Sequence, residues 1–115
     1  MLFICYPKCG TCRKARKYLE EHGIPFQERL IHEEPPTVKE LRTWQKQSGL
    51  PLRKFFNTSG KLYKELNLKD RLKTMSEDEM FELLASDGML VKRPILTDQE
   101  KVLVGFDEAA YSTLK

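Results

Sequence analysis

The feature that most constrains this chain is the passage from Leu2-Phe3-Ile4-Cys5-Tyr6 through Pro7 into Cys9-Gly10-Thr11-Cys12-Arg13-Lys14-Ala15-Arg16. An apolar, β-prone run ends in a turn there, and a helical pattern opens between two cysteines. Cys9 stands at the helix start and Cys12 one turn inside, so two sulfurs can lie close enough to close a small disulfide ring. The unpaired N–H groups of the first helical turn point back at Cys9. A zinc site would want a second ligand pair, and His22 and His32 have no paired spacing, so no metal is expected.

The remaining elements follow in order. Cys12, Ala15, Tyr18 and Leu19 recur at helical spacing, and His22-Gly23 before Pro25 ends a first helix near Glu21. The stretch 25–31 alternates well enough for a second strand, parallel to the first and completing a βαβ unit. Thr37 with Glu40, and Ser76 with Glu79, form capping boxes ahead of the apolar positions Leu41 and Trp44, and Met80, Leu83 and Leu84. Gly49 and Gly88 are the expected stops. Between them lie a short helix from Pro51 through Phe56, a turn at Asn57-Thr58-Ser59-Gly60, and broken helical turns at Leu62, Leu66 and Leu68. Two short strands, 91–96 and 102–104, flank the polar turn Asp98-Gln99-Glu100-Lys101, and Asp107 caps a last helix through Ala110, Tyr111 and Leu114. This order predicts an α/β fold of thioredoxin type: a four-stranded mixed sheet with a helical insert at about 37–87.

Length decides domain number. With 115 residues the chain can bury roughly 65 to 70% of its unfolded surface around one core, so a single domain over 1–115 is expected. The longest apolar run, Met1 to Tyr6, can neither span a bilayer nor form a signal-peptide core, which makes the cytoplasm the default and a membrane an unexpected partner. A net charge of +3 is mild and no nucleic-acid-binding signature accompanies it, so direct contact with nucleic acid is not expected. Three cysteines cannot form a fully paired framework, and a C-x-x-C loop constrains little of the unfolded chain, so the pair reads as redox chemistry rather than a staple.

A free thiol of pKa near 8.5 is only about 3% ionised at pH 7, and lowering it by roughly two units, about 2.7 kcal/mol, makes thiolate the major form. A helix N-terminus can supply up to about 2 kcal/mol of that, with Lys8, Arg13 or Arg93 supplying the rest. Lys8 to Lys17 holds five Lys/Arg and no Asp or Glu, against the helix-dipole preference in the first turn. Two readings stay open. Lys8 or Arg13 can complete an anion site with the amides of Gly10 and Thr11, or the run is a solvated face in which Lys14 and Lys17 pair with Glu20 and Glu21. Cys5 reads as a buried strand residue. Arg93-Pro94 suits a cis peptide beside a thiol, and equally a trans proline at a strand edge.

The motifs Tyr6-Pro7-Lys8-Cys9-Gly10-Thr11-Cys12, Pro35-Pro36-Thr37, Phe56-Asn57-Thr58-Ser59-Gly60, Lys92-Arg93-Pro94-Ile95 and Val104-Gly105-Phe106 together resemble the arsenate reductase (ArsC)/Spx family along nearly the whole chain. The resemblance implies a thioredoxin-like fold, Cys9 as nucleophile, and a cis Pro94 beside a catalytic or anion-binding Arg93. It also implies no bound cofactor, with glutaredoxin and glutathione or thioredoxin as thiol donor. Glutaredoxin-coupled members carry Ser where Cys12 stands and surround their oxyanion with three arginines, of which only Arg93 has a counterpart. Asn57 stands in the place of another, and the region of Gly105 offers no third. Cys12 instead resembles the Spx branch and its C-x-x-C reductase-like relatives, in which the pair can form a disulfide within the chain. Two functions follow: a thiol-dependent oxidoreductase, arsenate-reductase-like, using Cys9, Cys12 and Arg93 with a redox protein or small thiol as partner; or a Spx-like redox-sensing regulator binding the C-terminal domain of the RNA polymerase α subunit. The Gly10-Thr11 spacer and the 56–60 segment lie closer to the reductase-like relatives.

Overall fold

In the computed structural model, which describes residues 1–98 and 100–114, the sheet grows outward from β1 (Leu2–Cys5). β1 pairs in parallel with β2 (Gln27–Leu30) and antiparallel with β3 (Ile95–Thr97), which pairs antiparallel with β4 (Val102–Val104), giving the order β2-β1-β3-β4. Alternation along β1 sends its side chains to two separate cores. Ile4 joins Ile31, Leu41, Trp44, Phe55, Leu84 and Ile95 on the face covered by the helical segment, whereas Phe3 and Cys5 join Cys12, Ala15, Leu19 and Tyr111 on the other. The second face is covered by α1 (Gly10–Glu21) and by α6 (Glu108–Tyr111), which runs on into a short 3-10 turn. The fold is therefore the expected mixed α/β one. Among the described residues no helix is long and apolar enough to cross a membrane.

The helical segment contains α2 (Val38–Ser48), a 3-10 turn (Leu52–Phe55), α3 (Lys61–Glu65), α4 (Leu68–Arg71) and α5 (Glu77–Ser86). Both capping boxes are formed: the Thr37 hydroxyl accepts from the Glu40 N–H while the Glu40 carboxylate accepts from the Thr37 N–H, and Ser76 and Glu79 do the same. Arg29 of β2 forks onto the Glu40 carboxylate at 2.7 and 2.9 Å, so the start of α2 is tied to the sheet and the Glu40 carboxyl is held below its usual range, chiefly by that hydrogen bond.

Several boundaries differ from the sequence expectation, three of them for a clear local reason. β2 begins at Gln27 rather than residue 25, since Pro25 has no N–H to give and the ladder opens with Gln27 donating to the Met1 carbonyl at 2.7 Å. The strand expected over 91–96 forms only from Ile95, after Pro94, which likewise has no donor; Val91 makes an isolated bridge with Phe56. Gly88 does not end α5. Asp87 is extended there and its carboxylate accepts from the Met89 N–H at 2.9 Å, opening a 3-10 turn (Gly88–Leu90). In the hairpin turn Asp98 accepts from the N–H groups of Glu100 and Lys101, and Gln99 lies outside the described residues.

Candidate active site

Cys9 is the residue immediately before α1, extended at φ −87° and ψ 121°, with its N–H on the Tyr6 carbonyl at 3.0 Å. Its own side chain caps nothing, which leaves the sulfur available. Cys12, one turn on, is 2% exposed and accepts the Tyr6 N–H at 3.3 Å. The groups that favour a thiolate at Cys9 are the amide and thiol of Cys12 and the Arg93 guanidinium. Arg93 is steadied by the Tyr6 ring, 5.2 Å from its guanidinium carbon, and by the Met89 sulfur at 3.6 Å. The Arg93–Pro94 peptide is cis. Cys5, Cys9 and Cys12 are not joined in a disulfide.

These contacts push the two thiols in opposite directions. Burial of Cys9 opposes ionisation, but the hydrogen bonds from Cys12, together with the hydrogen bond and charge of Arg93, outweigh it and bring its pKa below the usual 9.0. Burial dominates at Cys12, and a charged Cys9 beside it adds to the effect, so its pKa is pushed up to about 12 against the pull of the Tyr6 N–H. Cys9 is therefore the thiol that ionises first and Cys12 the one that keeps its proton. Alkylation by iodoacetamide across pH should show Cys9 as the fastest thiol, with an inflection below 9.0. Above the folded pKa the rate is flat, below it the rate falls as thiolate is lost, and Arg93→Ala should move the inflection upward. Equal rates at Cys9 and Cys5 would contradict the geometry.

Cys9 opens onto a cavity of about 620 Å³ whose walls come from four parts of the chain: Thr11, the 57–60 loop, Lys92 with Arg93, and the 104–107 turn. Two backbone bonds hold the loop beside Arg93, from the Asn57 N–H to the Leu90 carbonyl and from the Lys92 N–H to the Phe55 carbonyl, both 2.8 Å. Gly105 turns the opposite wall at φ +80°, a conformation suited to glycine, and its N–H reaches the Pro94 carbonyl at 2.8 Å.

Of the residues singled out from sequence, Cys9, Thr11 and Arg93 line this cavity, with Cys12 buried behind Cys9. Lys8, Gly10 and Arg13 are exposed and do not line it, and Arg13 Nε donates to the Pro7 carbonyl at 3.1 Å. Pro94 is buried. Lys17 pairs with Glu21 at 3.8 Å, whereas Arg16 leaves the solvated face to bond Glu28 and the Cys5 sulfur, which is itself wholly buried. Burial pushes the Cys5 thiol up, with Arg16 opposing. Sequence reasoning missed Lys92 and Asp107 as cavity residues. The available signal was their position inside or beside the Lys92-Arg93-Pro94 and Val104-Gly105-Phe106 motifs. Among the described residues no three His, Cys, Asp or Glu side chains converge as metal ligands.

The profile of the ArsC family matches residues 5–114. Among curated proteins, the chain is 63% identical over 108 residues to the uncharacterised protein YusI of Bacillus subtilis, covering 94% of this chain and 92% of that one. It is 34% identical over 102 residues to the global transcriptional regulator Spx of Listeria innocua, covering 89% and 76%. Among solved structures, an ArsC family related protein from Bacteroides fragilis superposes with a TM-score of 0.97 at 52% identity over 99% and 96% of the two chains. A possible arsenate reductase from Streptococcus mutans superposes at 0.85 with 46% identity over 91% and 89%.

Proposed function

The chain belongs to the ArsC family, and on that premise we propose that it is a thiol-dependent oxidoreductase working through a Cys9/Cys12 dithiol–disulfide couple. The observation that carries this reading is the pairing of a cavity-facing thiol of lowered pKa with a buried thiol of raised pKa one helical turn along α1. The Cys9 thiolate attacks one sulfur of a disulfide substrate, forming a mixed disulfide and expelling the first thiol as its thiolate. Cys12 then attacks the Cys9 sulfur and gives its proton to the second departing thiolate, closing the internal disulfide. Arg93 and the first-turn amides stabilise negative charge at the site. Two electrons pass from the dithiol to the substrate, and an external donor, glutaredoxin with glutathione or thioredoxin, restores it. This chemistry suits a reducing compartment such as the cytoplasm.

The test is turnover with disulfide substrates and with arsenate in parallel, coupled to each donor; no turnover with any pair would overturn the reading. Cys12→Ser should stop the cycle at the mixed disulfide, seen by mass spectrometry as one substrate arm on Cys9. An unmodified Cys9 after substrate treatment would count against Cys12 as the resolving thiol. The similarity to Spx supports a second reading, in which the same couple is a redox switch governing contact with the RNA polymerase α subunit. Binding of purified α subunit in neither redox state would remove it.

A further inference from the structure

Beside the thiol cavity lies a second cleft of about 390 Å³ to which the chemistry so far gives no task. It is lined by Arg53, Lys54, Lys69, Lys73 and Lys92, and by no carboxylate. Lys73 pairs loosely with Asp70 at 3.8 Å, and the other four have no carboxylate partner among the described residues. The surrounding stretch is basic: residues 51–75 hold seven Lys/Arg and two Asp/Glu, an excess of five where the whole chain has an excess of three. Like charges gathered in a concave site repel one another and focus the field, which favours an anion of more than one charge. The floor is apolar, made by buried Phe56, half-buried Tyr63 and Met80, with the two rings 6.3 Å apart. A fitting ligand therefore has several anionic oxygens and a flat or apolar body. Thr58 and Lys92 line both cavities, so the two are contiguous. A ligand reaching from one to the other has its far end at the Cys9 sulfur.

We infer that this cleft holds the phosphorylated, ring-bearing end of a nucleotide-type thiol, and that the substrate at Cys9 is the disulfide of such a thiol. The assignment rests on the dithiol reading above and keeps its electron balance: one disulfide becomes two thiols as Cys9 and Cys12 join, and the thiol donor resets the pair. Volume separates this ligand from an acidic protein surface, because a cleft of this size encloses a small molecule and not a folded partner.

The experiment compares kcat/KM for coenzyme A disulfide and for uncharged 2-hydroxyethyl disulfide on the full chain, and measures calorimetrically the binding of adenosine 3′,5′-bisphosphate. Coenzyme A disulfide should be preferred by about tenfold or more. That ratio should fall roughly tenfold in Lys69→Ala/Lys73→Ala and at high salt, in line with the loss of two exposed charge contacts. The internal ratio guards against a variant that folds poorly. Turnover of both disulfides with a ratio near one, and no bisphosphate binding, would overturn the cleft assignment while leaving the dithiol reading intact. Bisphosphate binding without turnover of either disulfide would overturn the dithiol reading and the substrate assignment with it. Polyglutamate displacing the bisphosphate at lower concentration would overturn the assignment in favour of an acidic polypeptide.

Discussion

Cys9→Ser is expected to bring disulfide reduction down to the uncatalysed rate, a loss of roughly three orders of magnitude or more. A hydroxyl at this position can neither ionise near neutral pH nor form a bond to sulfur that Cys12 can resolve. Cys12 cannot substitute for it, since it is 2% exposed and its pKa is pushed up to about 12, so it offers almost no thiolate to an incoming disulfide. Cys5 cannot either, being wholly buried between Arg16 and Glu28. The measurement is initial rate with the donor in excess, beside circular dichroism to show that the variant is folded. Retention of a tenth of the rate would mean that another group carries the attack. The same variant should keep its fold, because the Cys9 side chain makes no capping bond and only half enters the core.

Gly88→Ala should have the opposite profile, damaging the fold before the chemistry. A β-carbon at Gly88 would stand 2.1 Å from the Ile31 carbonyl oxygen and 2.9 Å from its carbon, a contact with backbone that no side-chain rotation can relieve. Either the turn after β2 or the 3-10 turn after α5 must move, and overpacking of this kind costs about 3 kcal/mol. At the usual urea dependence for a chain of this size, that lowers the unfolding midpoint by about 2 M. A midpoint within a few tenths of a molar of the parent would show that the two turns do not meet so closely. Gly10→Ala is the natural control, since a β-carbon there meets nothing within 4 Å.

What the sequence disclosed, and what it did not, divides along the range of the interaction. The capping boxes at Thr37 and Ser76 were legible because donor and acceptor lie three residues apart and need no tertiary partner. The strand-to-helix passage at Cys9 was legible for the same reason. The start of β3 was not, because Val91 and Ile95 look alike as apolar β-formers, and only Pro94 and the bridge to Phe56 separate the bridging residue from the strand. Gly88 read as a helix stop because glycine after a helix is ordinarily one; its proximity to Ile31, far away in the chain, is a fact of packing alone. The same limit applied to the cavity walls. Arg93 stands out by its proline, whereas Lys92 carries no local mark of a role beyond its place in the same motif, and only the bond from Arg13 to the Pro7 carbonyl separates Arg13 from Arg93.

The paired bonds between Phe55 and Lys92 and between Asn57 and Leu90 have a further consequence. They make the stretch bearing Arg93 and the loop before α3 one cooperative unit, in which neither can open without breaking the hydrogen bonds of the other. Any excursion that frays this unit loosens the guanidinium from Cys9 and returns the thiol toward ordinary acidity. The reactivity of a single sulfur thus reports on the integrity of a seam made of backbone far from it in sequence, and amide exchange at Asn57 and Lys92 follows the same opening.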